Sequence, residues 1–370
     1  MKFLHTADWQ MGMRADSVGD AAKRVREERL NAGRRVMEQA RVCEVDFVLV
    51  AGDLFEDNAV DRSLVQAVAD ILAKCGKPVY IIPGNHDPLI PGSVWDHPAW
   101  RSSNNLTVLR KTEALEMGGY TLYPCPLFEK YSKKNPTAWI QAQRGTTINI
   151  GIAHGTVEGI QDEADYPIPR DAADQTGLDY LALGHWHSTT MYPSSEGVTR
   201  MAYSGTHEPS KFGERDSGNT LIVEIDGPSS PPKLTPIQTA GLRWESRRSE
   251  IRMPGDLERV QQEIQELEHP ETILLDLGLS GVLFADEQQT FAHLQDILDS
   301  RFLHAKLDAS GLTPSPEDDT WLSSLPPGII QETAARLRDK ASANTQDSYN
   351  AQVAALALME LYTVAKELQQ

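Results

Sequence analysis

The chain has 370 residues, with 53 acidic and 35 basic side chains, which gives a formal net charge of −18. A chain of this length can bury a large core and favours two or three domains. The acidic balance argues against a protein that coats nucleic acid with its whole surface, because such affinity comes largely from neutralising phosphates. A local groove is still allowed, since divalent cations would offset acidity at a site.

The cysteines and the N-terminal residues indicate the compartment. Cys43, Cys75 and Cys125 are scattered and include no CxxC pair, which is typical of a reducing environment. The start of the chain meets Asp8 too soon to supply the apolar core of a signal peptide. No apolar run is long enough to cross a bilayer. We therefore expect a cytoplasmic protein without a membrane partner.

Strand-like and helical patterns alternate up to about Asp226, as they do in α/β folds. A first strand at Phe3-Leu4 precedes an apolar stripe between Val18 and Cys43 that predicts one long helix. A strand at Phe47 to Ala51, a helix at about 62–74 and a strand at Val79 to Ile82 follow. Further strands are predicted at 107–109, 120–123, 148–153, 180–183, 201–204 and 220–225.

The segment Gly227 to Pro232 is the clearest break in composition and predicts a domain boundary. Beyond an extended stretch, two helices alternate with strands at 272–277 and 302–307, which predicts a small α/β module. A second break begins at Thr313, and helical patterns follow it, interrupted near 342–347. We therefore divide the chain into a core at 1–228, an α/β module at 233–312 and a helical tail at 313–370.

Five short segments follow predicted strands and carry side chains that bind metals. They are Asp8-Trp9-Gln10, Gly52-Asp53, Gly84-Asn85-His86-Asp87, His154-Gly155 and Gly184-His185-Trp186-His187. Ligands gather at the carboxyl ends of strands in α/β sheets, so these segments can converge on one crevice. Asp, Asn and His suit Mn, Fe or Zn, and two such ions can hold a phosphoryl group for in-line displacement.

This order of motifs resembles that of the calcineurin-like metallophosphoesterases over roughly residues 1 to 226. The runs Leu4-His5-Thr6-Ala7-Asp8-Trp9 and Gly52-Asp53-Leu54-Phe55 look like the branch that contains SbcD and the double-strand-break repair nucleases. The resemblance implies an α/β fold, a two-sheet sandwich flanked by helices, with a smaller α/β capping domain and a helical C-terminal tail. It also implies a DNA nuclease, acting as an exonuclease or an endonuclease in DNA repair.

The resemblance also implies two divalent ions that share Asp53 and activate a water for attack on phosphorus. Mn is the first expectation, with Mg, Fe and Zn as alternatives. The ligands of one ion would be Asp8, Gln10 and His187. The ligands of the other ion would be Asn85, His154 and His185. Gln10 stands where the family usually has His, and because an amide oxygen is the weaker donor, we expect that ion to bind more loosely.

Two further residues are predicted to be catalytic. His86 resembles the family's non-ligand histidine, which would stabilise phosphoryl oxygens or protonate the leaving oxygen. Glu56 lies three residues after Asp53, where phosphatases carry an acid and many repair nucleases carry a second histidine. We predict that Glu56 contacts His86 and favours its protonated form, since a nearby anion stabilises imidazolium.

DNA is the substrate that the resemblance implies, with an SbcC-like coiled-coil ATPase and a second copy of the chain as partners. Two basic clusters could contact phosphates. One lies between Lys23 and Arg41 in the first helix, where interspersed glutamates make a solvated face of ion pairs the ordinary interpretation. The other comprises Lys130, Lys133 and Lys134 beside Tyr131.

Two other functions stay open on the sequence alone. One is a phosphatase or phosphodiesterase for nucleotides or other small phosphoesters, which the acidic balance favours. The other is a scaffold that binds DNA ends, in which Gln10 marks a weakened metal site.

Overall fold

The computed structural model describes residues 1–159, 165–194, 197–315, 319–325, 327–341 and 348–367. The chain forms two compact units, Met1–Arg243 and Trp244–Gln370. The helix interruption predicted near 342–347 lies outside the described residues. No described helix combines the length and the apolar character needed to span a bilayer.

The first unit is built from strands with three helices between them. The strands are β1 (Lys2–Thr6), β2 (Phe47–Ala51), β3 (Val79–Ile82), β4 (Leu106–Val108), β5 (Leu115–Met117), β6 (Tyr120–Pro124), β7 (Ile148–His154), β8 (Tyr180–Gly184), β9 (Thr190–Pro193), β10 (Thr199–Tyr203), β11 (Asn219–Glu224) and β12 (Lys233–Gln238). The helices are α1 (Ala22–Val42), α2 (Arg62–Ala73) and α3 (Ala172–Gln175).

These strands form two six-stranded sheets. The first sheet has the order β12-β11-β1-β2-β3-β4, and the second has the order β5-β6-β7-β8-β10-β9. Strands β1 to β4 pair in parallel, as do β6, β7, β8 and β10, whereas the outer strands β5, β9, β11 and β12 pair antiparallel. The carboxyl ends of the parallel strands within each sheet therefore lie along one edge.

Strand β2 shows how the sequence specifies the layers. All five of its residues are buried, and they alternate between two apolar clusters. Phe47, Leu49 and Ala51 face the cluster between the two sheets, where the Phe3 and Phe47 rings stack at 4.9 Å. Val48 and Val50 join the cluster that α1 and α2 cover. The expected two-sheet sandwich flanked by helices is thus confirmed.

The second unit contains the predicted alternation of strands and helices. Its elements are β13 (Arg243–Ile251, whose first residue ends the first unit), α4 (Asp256–Gln265), β14 (Ile273–Leu283), α5 (Gln288–Arg301) and β15 (His304–Pro314). They form a three-stranded sheet with an apolar cluster that includes Ile264, Leu275 and Leu294. Helices α6 (Ile329–Ala341) and α7 (Ser348–Glu367) pack through Ala334, Leu358 and Leu361, so the helical C-terminal tail is present.

Residues 233–238, which the sequence analysis placed in the α/β module, form β12 at the edge of the first sheet. They pair antiparallel with β11, with Leu234 opposite Val223. The break at Gly227 to Pro232 lies in the connection between these two strands. The first compact unit accordingly extends to Arg243, and the division of the chain into three domains stays a prediction.

Candidate metal centre

The predicted metal ligands lie at the carboxyl ends of five parallel strands. Asp8, Asp53 and Asn85 follow β1, β2 and β3 of the first sheet. His154 ends β7, and His185 follows β8 in the second sheet. The His154 Nδ1 atom lies 2.8 Å from the carbonyl oxygen of Ala51, the last residue of β2. The edges of the two sheets therefore meet at one place, where ligand sites form in open α/β folds.

The backbone at these strand ends adopts conformations that side chains rarely take. Asp8, Gln10, Asp53 and His185 have φ angles of 53°, 41°, 50° and 107°. Such conformations cost about 1–3 kcal/mol each and persist where the surroundings enforce them. Here the Gln10 amide donates to the Asp53 carbonyl at 2.9 Å. Gly84 is required, because a Cβ there would lie 2.2 Å from Asp53 Oδ1.

Asp53, Asn85, His154 and His185 form one half of the site, here called the Asn85 half. Asn85 Oδ1 lies 2.8 Å from His154 Nε2 and 3.1 Å from His185 Nδ1. Asp53 Oδ2 lies 3.3 Å from His154 Nε2. The candidate ligand atoms of Asp53, His154 and His185 all lie within 4.8 Å of one another. This carboxylate, amide and imidazole set fits a divalent cation of the first transition row.

The charges in the Asn85 half also fit a cation. Burial lowers the pKa of His185 to about 3, helped by the charge of His154, so His185 is neutral and can act as a ligand. Burial would lower the pKa of His154 as well, but the charge of Asp53 and their hydrogen bond raise it to about 9. The oxygens around His154 thus stabilise positive charge at this point. A divalent ion bound here would neutralise the negative charge of these oxygens, as the proton on His154 does when no ion is bound.

Asp8, Gln10 and His187, the predicted ligands of the other ion, are here called the Asp8 half. Both Asp8 carboxylate oxygens lie within reach of the His185 amide, at 2.9 and 3.1 Å, and burial raises the pKa of Asp8 to about 6. His187 lies close enough for its charge to lower the pKa of Asp8. Gln10 is buried beside them, and its side chain has no hydrogen-bond partner within the described part of the chain. Coordination by Gln10 stays a prediction.

A model of the calcineurin-like phosphoesterase family matches residues 1–189, which include every predicted ligand. The chain belongs to this family. The family uses a dinuclear divalent metal site, and Asp53, His154 and His185 of the Asn85 half form a candidate metal-binding group. These donors suit several divalent ions of the first transition row.

One relative of this phosphoesterase is the uncharacterized metallophosphoesterase YhaO of Bacillus subtilis, which is 28% identical over 245 residues. The match covers 61% of this chain and 58% of that protein, so the chain spans little more than half of the relative's length. Two solved structures are more distant. The protein TT1561 of Thermus thermophilus has a TM-score of 0.42 and 11% identity, over 64% of this chain and 98% of that one. A dimetal phosphatase from Danio rerio has a TM-score of 0.38 and 12% identity, over 63% and 98%.

The two predicted catalytic residues, His86 and Glu56, contact each other mainly through the main-chain carbonyl of Glu56. His86 Nδ1 lies 2.9 Å from the Glu56 carbonyl oxygen, whereas the Glu56 carboxylate is 4.0 Å away. A carbonyl can only accept, so Nδ1 carries the hydrogen and Nε2 is left for a ligand. His86 is about one-third exposed, and its amide donates to Asp53 Oδ1 at 2.9 Å. The catalytic role of Glu56 stays a prediction.

Two carboxylates that support the site were not predicted. Glu214 Oε1 lies 2.5 Å from His187 Nδ1, and Glu214 also accepts hydrogen bonds from the amide and hydroxyl of Ser210. Such a carboxylate fixes the orientation of a ligand histidine. Asp87 is fully buried and accepts from the amides of Gly84 and Phe55 at 2.7 and 2.9 Å, which ties the loops after β3 and β2 together.

Beneath the Asp8 half lies Arg29, which is only 1% exposed. Its guanidinium donates to the carbonyls of Trp9 and Glu208 at 2.6 and 2.7 Å. The suggestion that the basic cluster of the first helix contacts phosphates is therefore wrong for this residue, because its donors are already occupied inside the protein. A signal was available in the sequence: Arg29 follows Val25 and precedes Ala32 at helical spacing on the buried face.

Aromatic and histidine residues near the centre have structural roles. Trp9 is fully buried and stacks on His207 with ring centroids 4.7 Å apart, so it has no face for a nucleic-acid base. His5 contacts the Tyr180 hydroxyl and the Leu183 carbonyl at 3.0 and 3.1 Å beneath the site. Trp186 differs, because it is only partly buried.

Proposed function

We propose that this protein is a phosphoester hydrolase, and specifically a DNA nuclease of SbcD type that acts as an exonuclease, with endonuclease activity as a further expectation, in DNA repair with two Mn ions. The motif order supports the branch, and the Asn85 half supports hydrolysis of a phosphodiester. One further observation supports nucleic acid as the substrate: an exposed segment of aromatic and basic residues lies beside the metal centre.

This aromatic-basic segment comprises residues 128–134. Phe128 and Tyr131 are 49% and 69% exposed, and Lys130 lies 5.6 Å from the Tyr131 ring centroid. The segment is anchored next to the ligands, because the amide of Leu127 donates to the carbonyl of Pro83 at 3.2 Å, two residues before Asn85. Proteins that bind single-stranded nucleic acid use lysine ammonium groups to contact phosphates and aromatic rings to stack on bases. This segment carries both.

The metal ligands and His86 would have different roles in the hydrolysis. When bound, the two ions would neutralise phosphate charge and supply a nucleophilic water. Asp53, which contacts His154 at 3.3 Å and lies close enough to Asp8 for its charge to raise the pKa of that carboxyl, would be shared. His86, with its Nδ1–H donated to the Glu56 carbonyl, would direct Nε2 at the leaving oxygen; in the imidazolium form Nε2 also carries a proton, which it would transfer to that oxygen, leaving the neutral imidazole.

The decisive experiment is Mn-dependent digestion of end-labelled DNA by the wild type and by His86→Gln, with metal content measured for both. Loss of cleavage with retained metal would assign His86 to the chemical step. A paired comparison of Lys130→Ala with Lys233→Ala tests the segment, because Lys233 is equally a surface lysine but lies on β12. We expect weaker DNA cleavage only for Lys130→Ala.

The alternative is a phosphodiesterase or phosphatase for nucleotides or other small phosphoesters, which the net charge of −18 favours. Turnover of a chromogenic phosphodiester or cyclic nucleotides without cleavage of DNA would support this alternative. A DNA-end scaffold is the third outcome: it requires fewer than two ions per chain at equilibrium and no turnover in Mn.

We also propose that α7 docks an SbcC-like coiled-coil ATPase. Tyr349, Val353 and Val364 of this helix are 72%, 46% and 47% exposed, so an apolar partner surface could cover them. The second expected partner is another copy of the chain, which sedimentation of the protein alone tests. The same measurement should be made on Val353→Glu. If the wild type self-associates and Val353→Glu does not, α7 is a self-association surface and not a docking site for the ATPase.

A further inference from the structure

Two cavities in the first unit meet at Trp186, the residue between ligands His185 and His187. The smaller cavity, of about 310 Å³, is lined by both histidines together with Lys211 and Phe212. The larger cavity, of about 990 Å³, is lined by Arg144, Arg170, Met191 and Tyr192 among others. Trp186 lines both. A ligand that extends from the metal centre into the larger cavity therefore passes this indole ring.

Three arginines line the larger cavity, here called the arginine cavity: Arg144, Arg170 and Arg200. Arg200 is committed to the protein, because it donates to the main-chain carbonyls of Asp179 and Ser229 at 3.3 and 3.1 Å. Arg144 is committed, because it donates to the carboxylate of Asp174 at 2.8 Å and to the Leu178 carbonyl at 2.7 Å. Arg170 is exposed and lies 5.9 Å from the Tyr192 ring centroid. Within the described ranges Arg170 has neither a hydrogen bond nor an ion pair. Its guanidinium can therefore contact a phosphate.

The remaining walls suit an aromatic base. Trp186 packs on the apolar cluster that includes Tyr192 while keeping part of its surface exposed. Met191 adds an adaptable apolar contact. Asp171 also lines the cavity and disfavours a ligand with several negative charges.

We propose that the arginine cavity holds a nucleotide of the substrate strand next to the scissile phosphate. Arg170, placed over the Tyr192 ring, contacts the phosphate of this nucleotide, and its base lies against Trp186 and Met191. The inference rests on the proposed nuclease function, and it specifies an unpaired strand as the substrate, because a base held in a duplex cannot stack on protein side chains. The volume of the cavity exceeds what one nucleotide needs, so it does not select a particular base.

The test compares two substrates in Arg170→Ala and in the matched control Arg101→Ala, an exposed arginine that lines neither cavity. For a short single-stranded oligonucleotide, Arg170→Ala should raise KM about tenfold with kcat unchanged, as loss of one phosphate contact requires. For a chromogenic phosphodiester, which has no second phosphate for Arg170 to contact, kcat/KM should stay within about twofold. Arg170→Lys should recover part of the affinity.

A second measurement is independent of turnover: binding of a fluorescent oligonucleotide in EDTA, followed by anisotropy. Weaker binding by Arg170→Ala than by Arg101→Ala supports the proposal. Equal KM values and equal binding for these two variants would overturn it, while cleavage of DNA by the wild type would leave the proposed function intact. If the wild type hydrolyses the chromogenic ester but not DNA, the proposed function fails, and this inference fails with it.

Discussion

The two halves of the metal centre are held together in different ways. In the Asn85 half, the ligand atoms contact one another directly, with Asn85 Oδ1 between two imidazoles. In the Asp8 half, main-chain groups and supporting residues hold the ligands: the amide of His185 holds Asp8, and Glu214 holds His187. The Asn85 half is therefore preorganised by contacts between its own ligands as well as by main-chain groups at His154 and Asp53, whereas the Asp8 half depends on its surroundings. The following variants test this difference, starting with Asp53, the predicted shared ligand.

Asp53→Asn should cause the largest loss of activity, because it removes the carboxylate that is predicted to bind both ions while keeping the side-chain shape. We expect turnover of a chromogenic phosphodiester to fall by on the order of 10³ or more. Mass spectrometry should find fewer than two ions per chain. Asp70→Asn, on the exposed face of α2, is the control. Two bound ions with near-normal turnover would show that Asp53 does not bridge.

Arg29→Met should destabilise the fold under the Asp8 half. The carbonyls of Trp9 and Glu208 would lose their donor in the interior, which lowers the free energy of unfolding by about 3 kcal/mol. Urea unfolding in EDTA measures this change without a metal contribution. Arg34→Met, at an exposed position of the same helix, should unfold like the wild type. If the two variants unfold alike, Arg29 does not support this half.

The sequence predicts the Asn85 half better than the supports of the Asp8 half, for a physical reason. Asp53, Asn85 and His154 each end or closely follow a buried apolar strand, so periodicity locates them, and parallel pairing brings them together. Glu214 lies in a loop 27 residues beyond His187, and no local pattern relates the two. The strands β5 and β9 were missed because three or four residues at a sheet edge carry little periodicity.

Glu214→Gln tests the dependence of the Asp8 half on its surroundings. The amide cannot supply the negative charge that holds His187, so we expect Mn affinity of this half to fall about 10- to 100-fold. Calorimetric titration should then resolve one unchanged and one weakened binding event. Glu224→Gln, on β11 and away from the centre, serves as the control. Equal weakening of both events would mean that the halves are coupled and not separately supported.

Gln10→His should cause the smallest change, and it should raise the metal affinity of the Asp8 half where Glu214→Gln lowers it. An imidazole is a stronger donor to transition metals than an amide oxygen, so Zn affinity of the Asp8 half should rise, by about tenfold, with less change for Mn. The backbone conformation of residue 10 should persist in this variant, because the hydrogen bond from its main-chain amide to the Asp53 carbonyl does not involve the side chain. Asn85→His is the informative counterpart: in the Asn85 half the amide oxygen lies between two histidines, and the larger ring should weaken metal binding. If Gln10→His leaves both metals unaffected, Gln10 lies outside the coordination sphere and the Asp8 half relies on Asp8, His187 and the shared Asp53.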